Sequence, residues 1–148
     1  MSFQSARAID QISEDAREGA QPVGKLSHLN EQGRVVVTLF RGSDAMRGNG
    51  DLGKIFSQMM LVFERHARRP LVSHGMSCDC LGADEAVLAQ FVRLAARGKR
   101  EDATLMAMLM LRADIAPLAV SMAEQLGLLI DATLRTDPRA MMGTVKVH

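Results

Sequence analysis

A chain of 148 residues that is 47% apolar and 24% charged has the size and composition of one folded domain, which excludes general disorder. The formal net charge of +1 and the lack of Trp and Tyr argue against nucleic-acid binding, which needs positive charge and stacking aromatic side chains. No apolar run approaches the ~20 residues that span a bilayer, and the N-terminus lacks the apolar core of a signal peptide. We therefore expect a cytoplasmic protein without membrane contact.

The spacing of apolar residues predicts an all-α fold, a compact bundle of five to six helices with a Cys-containing loop between two of them. Residues 1–21 carry only a narrow apolar stripe and are predicted to be a polar N-terminal arm. We expect residues 22–132 to form the helical domain and residues 133–148 to be a C-terminal tail.

One element is ambiguous, the β-branched run between Gly33 and Gly42. Taken alone, these residues would suit a strand. However, Leu26 and Leu29 before the run extend a helical spacing of apolar residues, and the chain offers no second good strand as a partner. We therefore predict a helix over this run.

Further helices are predicted from stripes of apolar residues bounded by caps and breakers. Their predicted starts are Asp51, Asp84, Lys99 and Asp114, and Pro70 ends the first of them. The last two are expected to pack as an antiparallel pair across a short turn.

The segment from Pro70 to Glu85 contains both cysteines of the chain, Cys78 and Cys80, with His74 four residues before the first. Thiolates and imidazoles are ligands of zinc and iron, and two cysteines one residue apart can reach one ion if the loop bends. We therefore predict a metal site, zinc or iron, formed by His74, Cys78 and Cys80 with His66 as the fourth ligand and a structural or sensory role.

The same cysteines allow a different interpretation, a thiol-redox enzyme. Cys80 lies just before a predicted helix N-terminus, where the helix dipole favours a thiolate, and Cys78 would then be the resolving thiol. The acids at Asp79, Asp84 and Glu85 act in the opposite direction. The third interpretation is that both cysteines are only small apolar residues of a compact loop.

Two charged clusters have ordinary structural explanations. The acid pairs, including Asp84 with Glu85, lie in helix first turns, where acids are expected for stability alone. The basic residues near the end of the helix before Pro70 complement the negative end of its dipole.

Eleven methionines suggest an alternative function without chemistry, a helical interaction module. It would self-associate as a homo-oligomer or bind a protein partner through a Met-rich face. This face would consist of Met59, Met60, Met106, Met108, Met110 and Met122. Methionine also fills irregular gaps in helical cores, which is the more common use. The sequence leaves open whether the protein is an enzyme.

Overall fold

The computed structural model describes residues 17–42 and 50–136, and it confirms the all-α prediction. A helical turn at residues 17–20 is followed by five longer helices, which carry most of the fold. They are α1 (Glu31–Phe40), α2 (Gly50–His66), α3 (Ala83–Ala96), α4 (Arg100–Met110) and α5 (Ala116–Thr136). Among the helices described, none combines the length and apolar character needed to cross a membrane.

The ambiguous β-branched run is helical, as predicted. Asn30 caps α1, and its side-chain oxygen accepts a hydrogen bond of 2.8 Å from the Gly33 N–H. Val36 and Leu39 are fully buried in the main core, while Val37 packs into a second, smaller cluster. Burial on two sides therefore outweighs the strand preference of the valines.

Helix α5 contacts each of the other four helices and forms the centre of the bundle. Small residues at its buried positions let the neighbouring backbones approach closely. A Cβ atom added at Gly127 would lie 2.6 Å from the Cβ atom of Ala96 in α3, so the space between these helices accepts only glycine. The core also holds Phe63 and Phe91, whose rings meet edge to face with centroids 6.2 Å apart.

A small antiparallel sheet was not predicted. Strand β1 (Pro22–Lys25) pairs with β2 (Cys80–Gly82), so that Lys25 lies opposite Cys80. Sequence patterning indicates only a break around Pro22, because the strand is short and all four of its residues are exposed. Its partner strand comes from a distant part of the chain, and no local pattern of residues predicts such a pairing.

The termini of the fold extend into the segments predicted as arm and tail. Residues 17–20 are helical, and α5 continues to Thr136, four residues beyond Ala132. The rest of the predicted arm, residues 1–16, and of the tail, residues 137–148, lies outside the described residues.

Candidate functional site

The loop between α2 and β2 is anchored at its start by Asp84, which lies in the first turn of α3. The Asp84 carboxylate accepts two hydrogen bonds from the Arg69 guanidinium, at 2.8 and 2.6 Å, and one of 2.8 Å from the Val72 N–H. Its side chain is 5% exposed and that of Arg69 is 28% exposed. This pair joins the end of α2 to the start of α3.

The other end of the loop is anchored by Glu85, the next residue of α3. Both of its oxygens accept hydrogen bonds from Arg41, at 2.6 and 3.0 Å. One oxygen also accepts from the His74 N–H at 3.1 Å and the other from the Gly82 N–H at 3.0 Å. The Arg41 and Glu85 side chains are 1% and 0% exposed, so this is a buried ion pair with all four acceptor positions of the carboxylate occupied.

Arg41, the C-cap of α1, also fixes the backbone around the cysteines. Its two terminal nitrogens donate to the carbonyl oxygens of Cys78 at 2.6 Å and Cys80 at 2.7 Å. One guanidinium thus ties the carboxylate of Glu85 to the backbone carbonyls of both cysteines. The planar fork of an arginine suits this multiple contact, which a lysine ammonium would not reproduce.

His74 and Cys78 face each other. The His74 Nδ1 atom lies 3.6 Å from the Cys78 Sγ atom, and Nε2 lies 2.8 Å from the carbonyl oxygen of Ala20. Because a carbonyl only accepts hydrogen bonds, Nε2 carries a proton. Nδ1 of the neutral ring is therefore an acceptor, free to take the proton of the Cys78 thiol.

Gly82 provides the space in which the His74 ring lies. A Cβ atom at this position would be 2.8 Å from His74 Cδ2 and 2.9 Å from Nε2. The backbone of β2 therefore passes directly against the imidazole, and a larger residue would displace it.

These contacts shift the pKa of both groups in the direction of an ion pair. The hydrogen bond with His74, followed by one from the Cys80 backbone N–H, lowers the pKa of the Cys78 thiol. Reciprocally, the contact with Cys78 and the hydrogen bond to the Ala20 carbonyl raise the pKa of His74. A thiol whose proton has a nearby acceptor forms the thiolate more readily, and the thiolate is the nucleophile.

A helix dipole would favour the thiolate of Cys80, and nearby acids would oppose it; the pKa of Cys80 is raised above its ordinary value. Hydrogen bonding to the Cys78 sulfur raises the pKa of Cys80, because a charge on Cys80 would lie beside that of Cys78. The nearby Asp79 carboxylate acts in the same direction. Cys80 is exposed and Cys78 is partly buried.

Of the four predicted metal ligands, the structure brings three side chains into one region. Cys78 contacts both His74 and Cys80. His66 ends α2, and its carbonyl accepts from the Arg112 N–H at 3.3 Å. Its buried Nδ1 has no hydrogen-bond partner among the described residues. Over residues 17–42 and 50–136, no group of three or more His, Cys, Asp or Glu side chains is arranged to hold a metal ion. The zinc or iron site stays a prediction.

The methionines of the predicted interaction face are mostly core residues. Met59 and Met110 are buried, and Met60, Met106, Met108 and Met122 are partly buried and pack against the same core. Association with a second copy or with a protein partner stays a prediction.

Sequence patterning identified His74, Cys78 and Cys80 but missed Arg41, Glu85 and the Ala20 carbonyl. Glu85 had a local signal, because a glutamate at the third position of a helix often accepts from the N-cap N–H, as it does here from Gly82. Arg41 and Ala20 had none, because their contacts join distant parts of the chain.

Comparisons of the chain with protein-family models, with curated proteins and with solved structures gave no match.

Proposed function

We propose that the loop carries a thiol–disulfide exchange site in which Cys78 is the nucleophile, His74 its base and Cys80 the resolving thiol. The observation that carries this proposal is the 3.6 Å contact between His74 Nδ1 and Cys78 Sγ, with Nε2 held by the Ala20 carbonyl. A thiol, a base and a group that orients the base form the usual arrangement of an activated nucleophile.

The reaction conserves atoms and electrons. The Cys78 thiolate attacks one sulfur of a substrate disulfide, the substrate S–S bond breaks, and the departing thiolate takes the proton held at His74 Nδ1. Cys80 then gives up its proton and attacks the Cys78 sulfur, which forms the Cys78–Cys80 disulfide and breaks the bond to the substrate. The second substrate half leaves as a thiolate and takes up that proton to become a thiol. The protein is oxidised by two electrons and the substrate is reduced by two.

The accessibility of the two cysteines fits these roles. Cys80 is exposed and donates towards the Cys78 sulfur, so it is positioned to displace a bound substrate thiol. We also propose a cytoplasmic location, since thiols there are kept reduced and available for a new cycle.

The proposal is tested by the pH dependence of alkylation of Cys78 with iodoacetamide, in a Cys80→Ser background that leaves one thiol. We expect half-maximal reactivity below the ordinary thiol pKa of about 8.5, because His74 stabilises the thiolate. His74→Asn should move the midpoint upward towards the ordinary value. His28→Asn, which changes an exposed histidine of the neighbouring turn Leu26–His28 and leaves His74 in place, is the matched control and should leave the midpoint unchanged.

A midpoint at the ordinary thiol value with His74 present would contradict the proposal. A second measurement uses the unmodified chain with glutathione disulfide, after which mass spectrometry should show the loss of two hydrogen atoms from one chain. Formation of only a stable glutathione adduct would exclude Cys80 as the resolving thiol.

Metal binding is a second proposal, and one distance favours it. Nitrogen and sulfur ligands of a tetrahedral zinc ion lie about 3.6 Å apart, given their usual bond lengths. The same separation, 3.6 Å, lies between His74 Nδ1 and Cys78 Sγ. Equilibrium dialysis against zinc chloride tests this proposal. One bound equivalent that is lost in Cys78→Ser supports it, and no binding by the unmodified chain contradicts it.

A further inference from the structure

Residues 20–29, here called the strap, lie along the Cys-containing loop and are attached to it by backbone groups. The Gln21 carbonyl accepts from the Ala83 N–H at 2.9 Å, and the Leu26 N–H donates to the Asp79 carbonyl at 2.7 Å. Between these two bonds, β1 pairs with β2. The strap is thus hydrogen-bonded to the segment of the chain that contains the cysteines.

Burial contributes little to this attachment. All four residues of β1 are exposed, and no residue of the short helical turn Leu26–His28 is buried. Only Leu26 and Leu29 reach the small apolar cluster of Val37, Leu81 and Ala89, and both are partly exposed. A segment with few buried apolar contacts opens locally at low cost, so the backbone pairing decides whether the strap stays docked.

One of the peptide groups that hold the strap, the one with the Asp79 carbonyl, lies between the two cysteines. Arg41 binds the carbonyls of Cys78 and Cys80, and the strap binds the Asp79 carbonyl between them. Lys25 of the strap lies opposite Cys80 in the sheet. In their present orientation, these peptide groups therefore hold the strap in its docked position.

A disulfide between Cys78 and Cys80 would require a different orientation. The two sulfurs must approach to about 2.05 Å with a dihedral angle near 90° about the new bond. With a single residue between the cysteines, the closed ring is small, and its closure rotates the peptide groups on either side of Asp79. Rotation of the Asp79 carbonyl removes the acceptor of the Leu26 N–H and shifts Cys80 out of register with Lys25.

We propose that oxidation of Cys78 and Cys80 to a disulfide releases the strap, which makes residues 20–29 a redox-sensitive element of the site. This inference rests on the proposed function, because the same exchange with a substrate disulfide forms the Cys78–Cys80 bond. In that exchange the two cysteine thiols give up two electrons and two protons, and the substrate disulfide takes them up and becomes two thiols. Release also separates the Ala20 carbonyl from His74, so the oxidised site loses the group that orients its base.

The test is limited trypsin digestion of the full chain, with the thiol form compared to the disulfide form prepared with glutathione disulfide. The reporter is cleavage after Lys25, which lies in β1 and is protected while the strap is docked. We expect cleavage after Lys25 to be on the order of tenfold faster in the disulfide form, which corresponds to about 1.4 kcal/mol of docking free energy. Cleavage after Lys54, within α2, is the internal reference and should not change.

Mass spectrometry of the same samples separates the two proposals. A chain that forms the internal disulfide without faster cleavage after Lys25 overturns the strap inference and leaves thiol exchange intact. A chain that forms no internal disulfide contradicts both. Cys78→Ser and Cys80→Ser, treated in the same way, should show no acceleration, and an acceleration in either would show that the disulfide is not the cause.

Discussion

Two regions of this molecule are stabilised by different interactions. The helical body, comprising α2 to α5 with the inner side of α1, surrounds one large cluster of buried apolar side chains. The Cys face, comprising residues 70–82, the strap and Arg41, borders a much smaller cluster whose three buried members are Val37, Leu81 and Ala89. It is held instead by ion pairs and by hydrogen bonds to backbone groups.

The two kinds of interaction differ in how precisely they position atoms. Apolar burial is not directional, so it stabilises the bundle without determining the position of any one atom. Charged hydrogen bonds are directional, and those of Arg41 and Glu85 place the backbone of His74, Cys78 and Cys80. The Cys face should therefore respond to charge and pH, and the helical body to the loss of apolar volume.

The largest effect is expected in the helical body. Phe91→Ala removes a fully buried ring and its edge-to-face partner contact with Phe63, and should lower the free energy of unfolding by about 3–5 kcal/mol. Urea denaturation followed by circular dichroism measures this loss. The pH midpoint of Cys78 alkylation in the folded variant should stay unchanged, and a shift there would show that the two regions are not separable.

The second effect concerns the buried ion pair of the Cys face. Glu85→Gln leaves the buried Arg41 charge without a counter-charge and should cost about 3 kcal/mol of unfolding free energy, because an uncompensated buried charge is strongly destabilising. Alkylation of Cys78 at neutral pH should also slow, since Arg41 and the His74 N–H lose their anionic partner.

Asp84→Asn is the matched control for Glu85→Gln, one residue earlier in the same helical turn. Its partner Arg69 is 28% exposed, so solvent screens the pair and the expected loss is about 1 kcal/mol. Asp84 holds Val72 rather than the cysteines, so alkylation of Cys78 should be unaffected. Equal slowing in both variants would mean that Glu85 has no special relation to the site.

The third effect is a loss of stability in acid that originates in the Cys face. Burial alone would raise the pKa of Glu85, but hydrogen bonds from Arg41, Gly82 and His74 lower it below the ordinary value. A carboxylate with a lowered pKa in the folded chain stabilises it above the unfolded value of about 4.3, and this contribution disappears as pH falls through the folded pKa. The contribution of Glu85 to the urea midpoint should therefore be constant from neutral pH down to about pH 5 and disappear below that.

Glu85→Gln provides the control for this acid dependence. The variant has no carboxylate at this position, so its urea midpoint should fall less steeply over the same acidic range. If the urea midpoint of the variant falls as steeply with pH as that of the unmodified chain, other carboxylates cause the loss of stability in acid.

The smallest effect is expected at an exposed ion pair away from both clusters. Arg112 and Asp114 lie 2.9 Å apart, with side chains 63% and 61% exposed, so solvent weakens their attraction. Arg112→Ala should change the free energy of unfolding by no more than about 0.5 kcal/mol. A loss of unfolding free energy comparable to that of Glu85→Gln would show that the exposure of an ion pair does not determine how much it stabilises this protein.

The order of the residues is enough to predict the helices and to locate the segment that carries the candidate site. Apolar spacing depends on local geometry alone, so it correctly indicated a helical bundle and even resolved the valine-rich run of α1. The unusual grouping of His74, Cys78 and Cys80 was likewise visible in the order of residues.

The contacts among these side chains could not be predicted from the sequence, because they depend on the folded chain. The pairing of His74 with Cys78, the higher pKa of Cys80 and the central place of Arg41 depend on contacts between α1, the strap and α3. The acids at Asp84 and Glu85 look equivalent in the sequence, yet each binds a different part of the loop. Hydrogen bonds are short-ranged and directional, so such differences arise only when distant parts of the chain are brought together.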